Sequence, residues 1–320
     1  MLAASVIVPA RNAQVTLGRT LAALAAQRLE DDYEVIVVDD GSSDATAALA
    51  AALAAGSAGP LTVLTQPALG PAAARNLGVS RARAPALAFC DADVFPASGW
   101  LRAGLGALEC ADLVQGRVLP DPQAELGPFD RTLWITTEVG LWETANLFVR
   151  RTLFDRVGGF EEWITPRRGG KALAEDVWFG YRALRHGASH AFCEEALAHH
   201  AVFARGWTEY VRERGRLWYF PAMAGKMPEL RQRFLHRRVF LNPRTARLDL
   251  ALAGVAVALR LGSPLPLAAA LPYAVTARRA THRSPYPAPA VAVAAADLAA
   301  DLLGLAALAA GSVRYRSIVI

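Results

Sequence analysis

Cysteine is scarce in this chain of 320 residues: Cys90, Cys110 and Cys193 are the three, and no two form a C-x-x-C pair. An odd, scattered set excludes a disulfide framework and a cysteine-built zinc site, and it suits a reducing compartment. Charge is sparse as well, 20% against 53% hydrophobic residues, much of the apolar excess being alanine near the C-terminus. Long apolar runs are nonetheless missing. The stretch 250–259 is interrupted by Arg260, Pro264 and Pro266, and neither half of the tail reaches the roughly 20 apolar residues of a spanning helix. No secretory leader is expected of the first residues, since 2–8 are short, lack a basic flank and run into Pro9-Ala10-Arg11-Asn12. The expectation is a cytoplasmic protein.

The net charge of +5 is uneven: residues 205–247 hold eleven Lys/Arg against three Glu, a net +8 that leaves −3 for the rest. Such a run is a solvated helical face or an attraction for anionic headgroups and phosphates. No nucleic-acid-binding motif accompanies it, so nucleic acid is not an expected partner.

Four apolar runs recur in the first ninety residues, at 5–8, 34–38, 61–64 and 86–90. They are near-continuous rather than alternating, as strands covered on both faces are. Helical signals lie between them. Leu17, Leu21 and Leu24 share one face, Ser42-Ser43-Asp44 offers caps for an Ala-rich helix ending near Gly56, and Gly70-Pro71 opens a third helix. The alternation predicts an α/β fold with a mostly parallel central sheet flanked by helices. Further on, a helix near 98–109, strands near 113–118, 145–149 and 189–193, and a helix over 175–186 are expected, with a basic Gly-rich loop at 166–171. In the tail, Val291, Leu298, Leu302 and Leu305 form one helical stripe with Asp297 and Asp301 on another face. Such helices pack on the domain or lie in a membrane interface, and the basic stretch before them favours the membrane.

The most informative feature is Asp91-Ala92-Asp93 at the end of the fourth apolar run. In an extended strand, positions i and i+2 project to one side. Two carboxylates held together there repel unless a cation sits between them, and hard oxygen ligands suit Mg²⁺ or Mn²⁺. In open α/β sheets, ligands bind beyond the carboxyl ends of the strands. Strand one ends at Pro9-Ala10-Arg11-Asn12 and strand two at Asp39-Asp40-Gly41, so acids gather at one edge. Asp44 reads as a helix cap. Arg75 is a candidate for a phosphate or base, or a plain surface arginine. His199 and His200 follow the last strand and face a metal, a diphosphate or a purely structural partner. Trp142, Glu143 and Asn146 are candidates for an acceptor pocket, although core packing is the better prior for Trp142.

Taken in order, the segments 6–12, 37–44, 70–78, Asp91-Ala92-Asp93, Val157-Gly158-Gly159-Phe160 and Glu175-Asp176 resemble glycosyltransferase family 2 over about residues 3–220. The resemblance implies a GT-A fold and inverting transfer from a nucleotide-diphosphate sugar. By it, Asp40 meets the nucleobase, Asp93 is the main metal ligand, Asp91 contacts ribose or metal-bound water, and Asp176 is the catalytic base. The donor is then expected at Pro9, Ala10, Arg11, Asp39, Asp40, Arg75, Asp91, Ala92 and Asp93, the acceptor at Trp142, Asn146 and Glu175, and Mn²⁺ or Mg²⁺ at Asp91, Asp93 and His200. The acceptor is expected to be a saccharide or lipid-linked molecule, reached from the inner face of the cell membrane. Domain boundaries follow: a transferase domain over 1–220, with a nucleotide half (1–95) and an acceptor half (96–220), then a basic and apolar helical extension over 221–320.

The chemistry agrees. An acceptor hydroxyl attacking an anomeric carbon needs a base, and the leaving nucleoside diphosphate needs charge neutralisation. Glu175 and Asp176 point about 100° apart on a helix, so they are no same-face pair, and a helix N-terminus keeps Asp176 ionised while lowering its basicity. Two rivals remain. A sugar nucleotidyltransferase needs a Gly-rich pyrophosphorylase loop after strand one, which Pro9-Ala10-Arg11-Asn12 is not. A silent nucleotide-sugar-binding scaffold has no need of Asp91, Asp93 and Asp176. Processive synthesis is not supported, because 213–218 lacks a Gln-x-x-Arg-Trp signature.

Overall fold

The structure is a computed structural model that describes residues 2–29, 32–56, 59–163, 173–282 and 290–320. The expected basic loop at 166–171 lies outside the described residues. Two compact units emerge, Met1–Ala124 with Thr132–Val202, and Glu125–Arg131 with Phe203–Ile320.

The first unit begins with the expected alternation: β1 (Leu2–Ala10), α1 (Leu17–Ala25), β2 (Asp32–Asp40), α2 (Thr46–Gly56), β3 (Leu61–Gln66), α3 (Pro71–Arg81) and β4 (Ala86–Cys90). It continues with β5 (Val94–Pro96), α4 (Trp100–Leu108), β6 (Leu113–Pro120), β7 (Asn146–Arg150), α5 (Arg151–Val157), α6 (Glu175–Arg185) and β8 (His190–His200). One eight-stranded sheet runs β3-β2-β1-β4-β7-β6-β8-β5. The block β3-β2-β1-β4 is parallel, β7 is antiparallel to both neighbours, β6 and β8 pair in parallel, and β5 closes the edge antiparallel to β8.

Both faces of the sheet are covered, which is why the strand sequences run apolar without alternating. Val6, Val8, Val35 and Val37 pack with Leu17, Leu21, Trp100 and Leu101 on one side. Ile7, Ile36 and Val38 pack with Ala72, Val79, Phe154 and Phe179 on the other. Close approach on that second side is allowed by glycine: a Cβ at Gly78 in α3 would lie 2.6 Å from Ile7 Cγ2.

The second unit is helical: α7 (Trp207–Glu213), a 3₁₀ stretch (Arg214–Tyr219), α8 (Phe220–Lys226), α9 (Leu230–Arg233), α10 (Pro243–Leu261), a second 3₁₀ stretch (Leu265–Ala270), α11 (Leu271–His282) and α12 (Ala290–Tyr315). Asn242 caps α10 through a capping box with Thr245. One departure from expectation stands out. Within α12, Val291–Tyr315 forms 25 residues of mean hydropathy 1.9, long and apolar enough to cross a membrane by length and composition. The sequence reading expected no stretch of that length in the tail, having judged it by the interruptions at Arg260, Pro264 and Pro266. In the folded unit both carboxylates are satisfied: Asp301 accepts from Arg244 (2.6 Å) and Tyr273 (2.7 Å), and Asp297 accepts from Tyr210 (2.8 Å).

Candidate active site

The carboxyl ends of β1, β2 and β4 lie side by side, with Ala10 registered on Asp39 and Asp40 on Gln66. The loops leaving β1 and β2 are tied together. Asn12 holds Ser42 and Ser43, Gln14 accepts the Ala45 N–H, and Asp44 accepts the N–H groups of Gln14 and Thr46. Asp44 is thus the cap its sequence position promised, at the start of α2.

Asp39 and Asp40 follow the alternation of β2 and face opposite sides. Both are nearly fully buried. Asp40 is saturated: Oδ1 accepts from Gln66 Nε2 (2.7 Å) and the Leu69 N–H (2.8 Å), Oδ2 from the Gly70 N–H (3.0 Å), and Arg11 lies at 3.5 Å. It fixes the loop that leads into α3. Asp39 accepts the Ser42 N–H with Oδ2, but its buried Oδ1 has no partner among the described residues. A lone acceptor of this kind is costly unless something fills it. Pro9 and Ala10 end β1 beside this pair.

The strand β4 stops at Cys90, so the extended geometry assumed for Asp91-Ala92-Asp93 does not hold. These residues form a turn closed by the Val94 N–H donating to the Asp91 carbonyl. Thr20 on α1 donates to the Ala92 carbonyl (2.9 Å), and the Ala201 N–H donates to that of Asp93 (2.8 Å). The two side chains then part. Asp91 takes the guanidinium of Arg75 at 2.9 Å, and Asp93 Oδ2 lies 3.6 Å from His200 Nε2. Each stays about a third exposed, at 32% and 28%. Their charges, after burial, push the Cys90 thiol well up.

Arg75 is no surface arginine. It is buried, donates to Asp91 and to Glu175 Oε1 (3.0 Å), and lies 5.9 Å above the Phe160 ring. One guanidinium therefore joins the turn after β4 to the first residues of α6. Ala174, which precedes Glu175, is held in the left-handed region at φ 61 and accepts the Trp163 indole N–H. A non-glycine residue there carries strain of the kind found at functional sites.

Asp176 differs from expectation in its electrostatics. Burial first, and then the charges of Glu175 and Glu143, push its carboxyl well above the usual carboxylate range against the pull of Arg75. The helix terminus does supply one donor, the Val177 N–H at 2.8 Å, but desolvation outweighs it. Glu143 was named only as a pocket candidate. Burial, reinforced by Glu138, pushes its carboxyl up to about 7. Nothing in its sequence context signals this.

His200 Nδ1 approaches the Ala201 carbonyl at 2.6 Å. A carbonyl only accepts, so Nδ1 carries a proton, and the neutral ring would turn the Nε2 lone pair toward Asp93. Two acceptors 3.6 Å apart fit a shared cation. Among the described residues no group of three or more His, Cys, Asp or Glu is preassembled for a metal. The donor set suits an ion completed by phosphate and water.

Trp142 and Asn146 depart from the acceptor-lining expectation. Both are fully buried. Trp142, at φ 55, lies over Gly180 so tightly that a Cβ there would come within 1.9 Å of its ring. Asn146 accepts from Trp100 Nε1 (2.7 Å) and donates to the carbonyls of Arg117 (2.9 Å) and Ala196 (2.7 Å), clasping α4, β6 and β8. Sequence reasoning missed two buried polar residues: Thr20 of α1, which donates to the Ala92 carbonyl, and Gln27, two residues past the end of α1, which donates to the Ala97 carbonyl. The only signal for Thr20 was a polar residue in an otherwise apolar helix face.

A mixed sheet in this strand order, covered by helices on both faces, has the GT-A fold. Solved structures carry the same fold. A mannosyltransferase from Pyrobaculum calidifontis, in complex with GDP-Man and Mn²⁺, superposes with a TM-score of 0.58 at 21% identity, over 98% of this chain and 86% of that one. S. aureus TarS 1-349 in complex with UDP-GlcNAc gives 0.53 at 16% identity, over 99% and 93%.

The sequence is more specific. Residues 5–160 match the model of Glycosyl transferase family 2. Glycosyltransferase AglE of Haloferax volcanii is 29% identical over 224 residues, 67% of this chain and 71% of AglE. The pre-mycofactocin glycosyltransferase of Mycobacterium tuberculosis is 31% identical over 225 residues, 63% of this chain but 44% of its own length. The chain is a glycosyltransferase, and over residues 5–160 it is similar to family 2.

Proposed function

We propose that this enzyme transfers a sugar, with inversion, from a nucleotide-diphosphate donor to a hydroxyl of a saccharide or lipid-linked acceptor, using Asp176 as base. The observation that carries the reading is Arg75, which holds Asp91 and Glu175 at 2.9 and 3.0 Å and so couples the strand-end acids to the helix of Asp176. The acceptor hydroxyl gives its proton to the Asp176 carboxylate as its oxygen bonds to the anomeric carbon. The nucleoside diphosphate leaves from the opposite face, and a single displacement inverts the centre. An elevated proton affinity makes Asp176 a stronger base than an ordinary aspartate.

Asp39, rather than the saturated Asp40, is the acid left to accept an N–H of the nucleobase or a ribose hydroxyl. Asp40 acts behind it by fixing the loop before α3. Asp91, Asp93 and His200 Nε2 would hold Mn²⁺ or Mg²⁺, which when bound neutralises the leaving diphosphate as a Lewis acid. Relatives of this fold in complex with GDP-Man and Mn²⁺ or with UDP-GlcNAc support a nucleotide-sugar donor and a divalent ion. Scattered free thiols support the cytoplasm, and the apolar helices of the second unit support attachment to a membrane surface.

Hydrolysis of a panel of nucleotide sugars, with Mn²⁺, with Mg²⁺ and with EDTA, tests this. One donor should be turned over only with a metal, and Asp176→Asn should abolish turnover while donor binding persists. Full activity in EDTA would remove the metal from the scheme, and an active Asp176→Asn would remove the base.

A further inference from the structure

Fifteen of the twenty exposed large hydrophobic side chains among the described residues belong to α10, α11, α12 and the 3₁₀ stretch between the first two. The helix with the composition of a span, α12, is the less suited of these to enter lipid. Its Asp297 and Asp301 are paired with Arg244, at 3.2 and 2.6 Å. Its Gly311 runs so close to the Trp218 carbonyl that a Cβ would meet the oxygen at 2.2 Å. Crossing a bilayer would break these contacts.

The neighbouring α10 is different. Its buried residues Leu248, Ala251, Gly254 and Ala258 form one narrow strip. At about 100° per residue, Leu250, Val257 and Leu261 stand on one flank of that strip and Leu252 and Leu259 on the other. All are exposed, Leu259 at 80% and Leu261 at 66%, and Leu265 follows at 83%. A protein partner covers one face of a helix, whereas apolar side chains on both flanks suit immersion in a fluid apolar medium. The charge also selects the occupant. Exposed Arg247 and Arg260 bracket the apolar stretch of α10 and exposed Arg278 lies on α11, while Asp249 is the one acid of the two helices.

We propose that α10, the 3₁₀ stretch after it and α11 form a monotopic docking surface that enters one leaflet of an anionic bilayer, with α12 remaining a structural helix of the unit. This deepens the membrane attachment included in the proposed function and rests on that part alone, not on the transfer chemistry. Surfaces of this kind penetrate the headgroup and upper acyl region, about 5–10 Å deep.

Flotation of the full chain with vesicles of equimolar phosphatidylcholine and phosphatidylglycerol tests it. The chain should float with these vesicles and less with pure phosphatidylcholine, and alkaline carbonate should release it. The triple variant Leu259→Ser, Leu261→Ser, Leu265→Ser should lose roughly 10-fold in partitioning for each leucine removed. The same variant should keep donor hydrolysis measured without vesicles. A wild-type chain that never floats, a triple variant that floats undiminished, or retention through carbonate as for a spanning helix would each overturn the proposal. So would a wild-type dimer that the triple variant converts to monomer without any flotation, which would make the surface a contact between copies. Loss of donor hydrolysis in the wild type bears only on the transfer chemistry.

Discussion

Replacing Arg75 by glutamine removes the one cation between two carboxylates, and its consequence can be worked from the geometry. The Glu175 side chain is 9% exposed and bonds the guanidinium at 3.0 Å, while Asp91 is 32% exposed at 2.9 Å. Breaking a buried pair costs about 3–5 kcal/mol, because the surviving charge is stranded away from water. The Asp91 half, partly solvated, adds about 1 kcal/mol or less. Urea unfolding of Arg75→Gln at pH 8 should therefore show a loss of about 3–5 kcal/mol, nearly all from Glu175. A double variant with Glu175→Gln removes the stranded charge, so it should be more stable than the sum of the single losses by about 1–3 kcal/mol. A second readout is independent of folding. Arg75 lowers the proton affinity of Asp176, so the acid limb of kcat/KM should move to higher pH in Arg75→Gln. Strict additivity of the two substitutions, together with an unmoved acid limb, would refute the bridging role.

Other outcomes follow from the same coordinates. Glu143 holds a proton in the folded state up to about pH 7 that the unfolded chain releases near 4.5. Stability should therefore fall as pH rises through that window, and Glu143→Gln should abolish on the order of 3 kcal/mol of the fall in urea titrations run between pH 5 and 8. Asp39→Asn should raise donor KM more than it lowers stability, and Asp40→Asn the reverse, because only Asp40 is bonded on both oxygens; equal effects in thermal melts and donor titrations would contradict the division. Gly180→Ala would drive a methyl group into the Trp142 ring and should destabilise by about 1–3 kcal/mol, with tryptophan fluorescence reporting the displaced ring.

The central α/β layout was legible because hydrophobic periodicity is local. Four continuous apolar runs with capped helices between them describe strands buried on both faces, and β1 to β4 formed where those runs lie. The candidate acids were legible for a related reason: strand ends are recognisable, and a parallel sheet delivers them to one edge. What was not legible is whatever depends on partners distant in the chain. Arg75 was legible as a candidate for an anionic ligand, but not its pairing with Glu175, one hundred positions away, which folding brings within 3.0 Å. Asn146 looks suited to a ligand until α4, β6 and β8 close over it, whereas the burial of Trp142 was already the better reading.

The amino-acid sequence by itself determined the class of fold, the positions of its first four strands and the acids offered at their ends, because those follow from period, capping and spacing along the chain. Only the tertiary structure decided that Asp91-Ala92-Asp93 is a turn, that Asp40 is saturated while Asp39 keeps an open oxygen, and that Asp176 resists ionisation. It also decided that the two aspartates of α12 face Arg244 rather than solvent. Proton affinity and hydrogen-bond saturation depend on desolvation and on charges contributed by remote segments, and no local pattern encodes where those segments will come to rest.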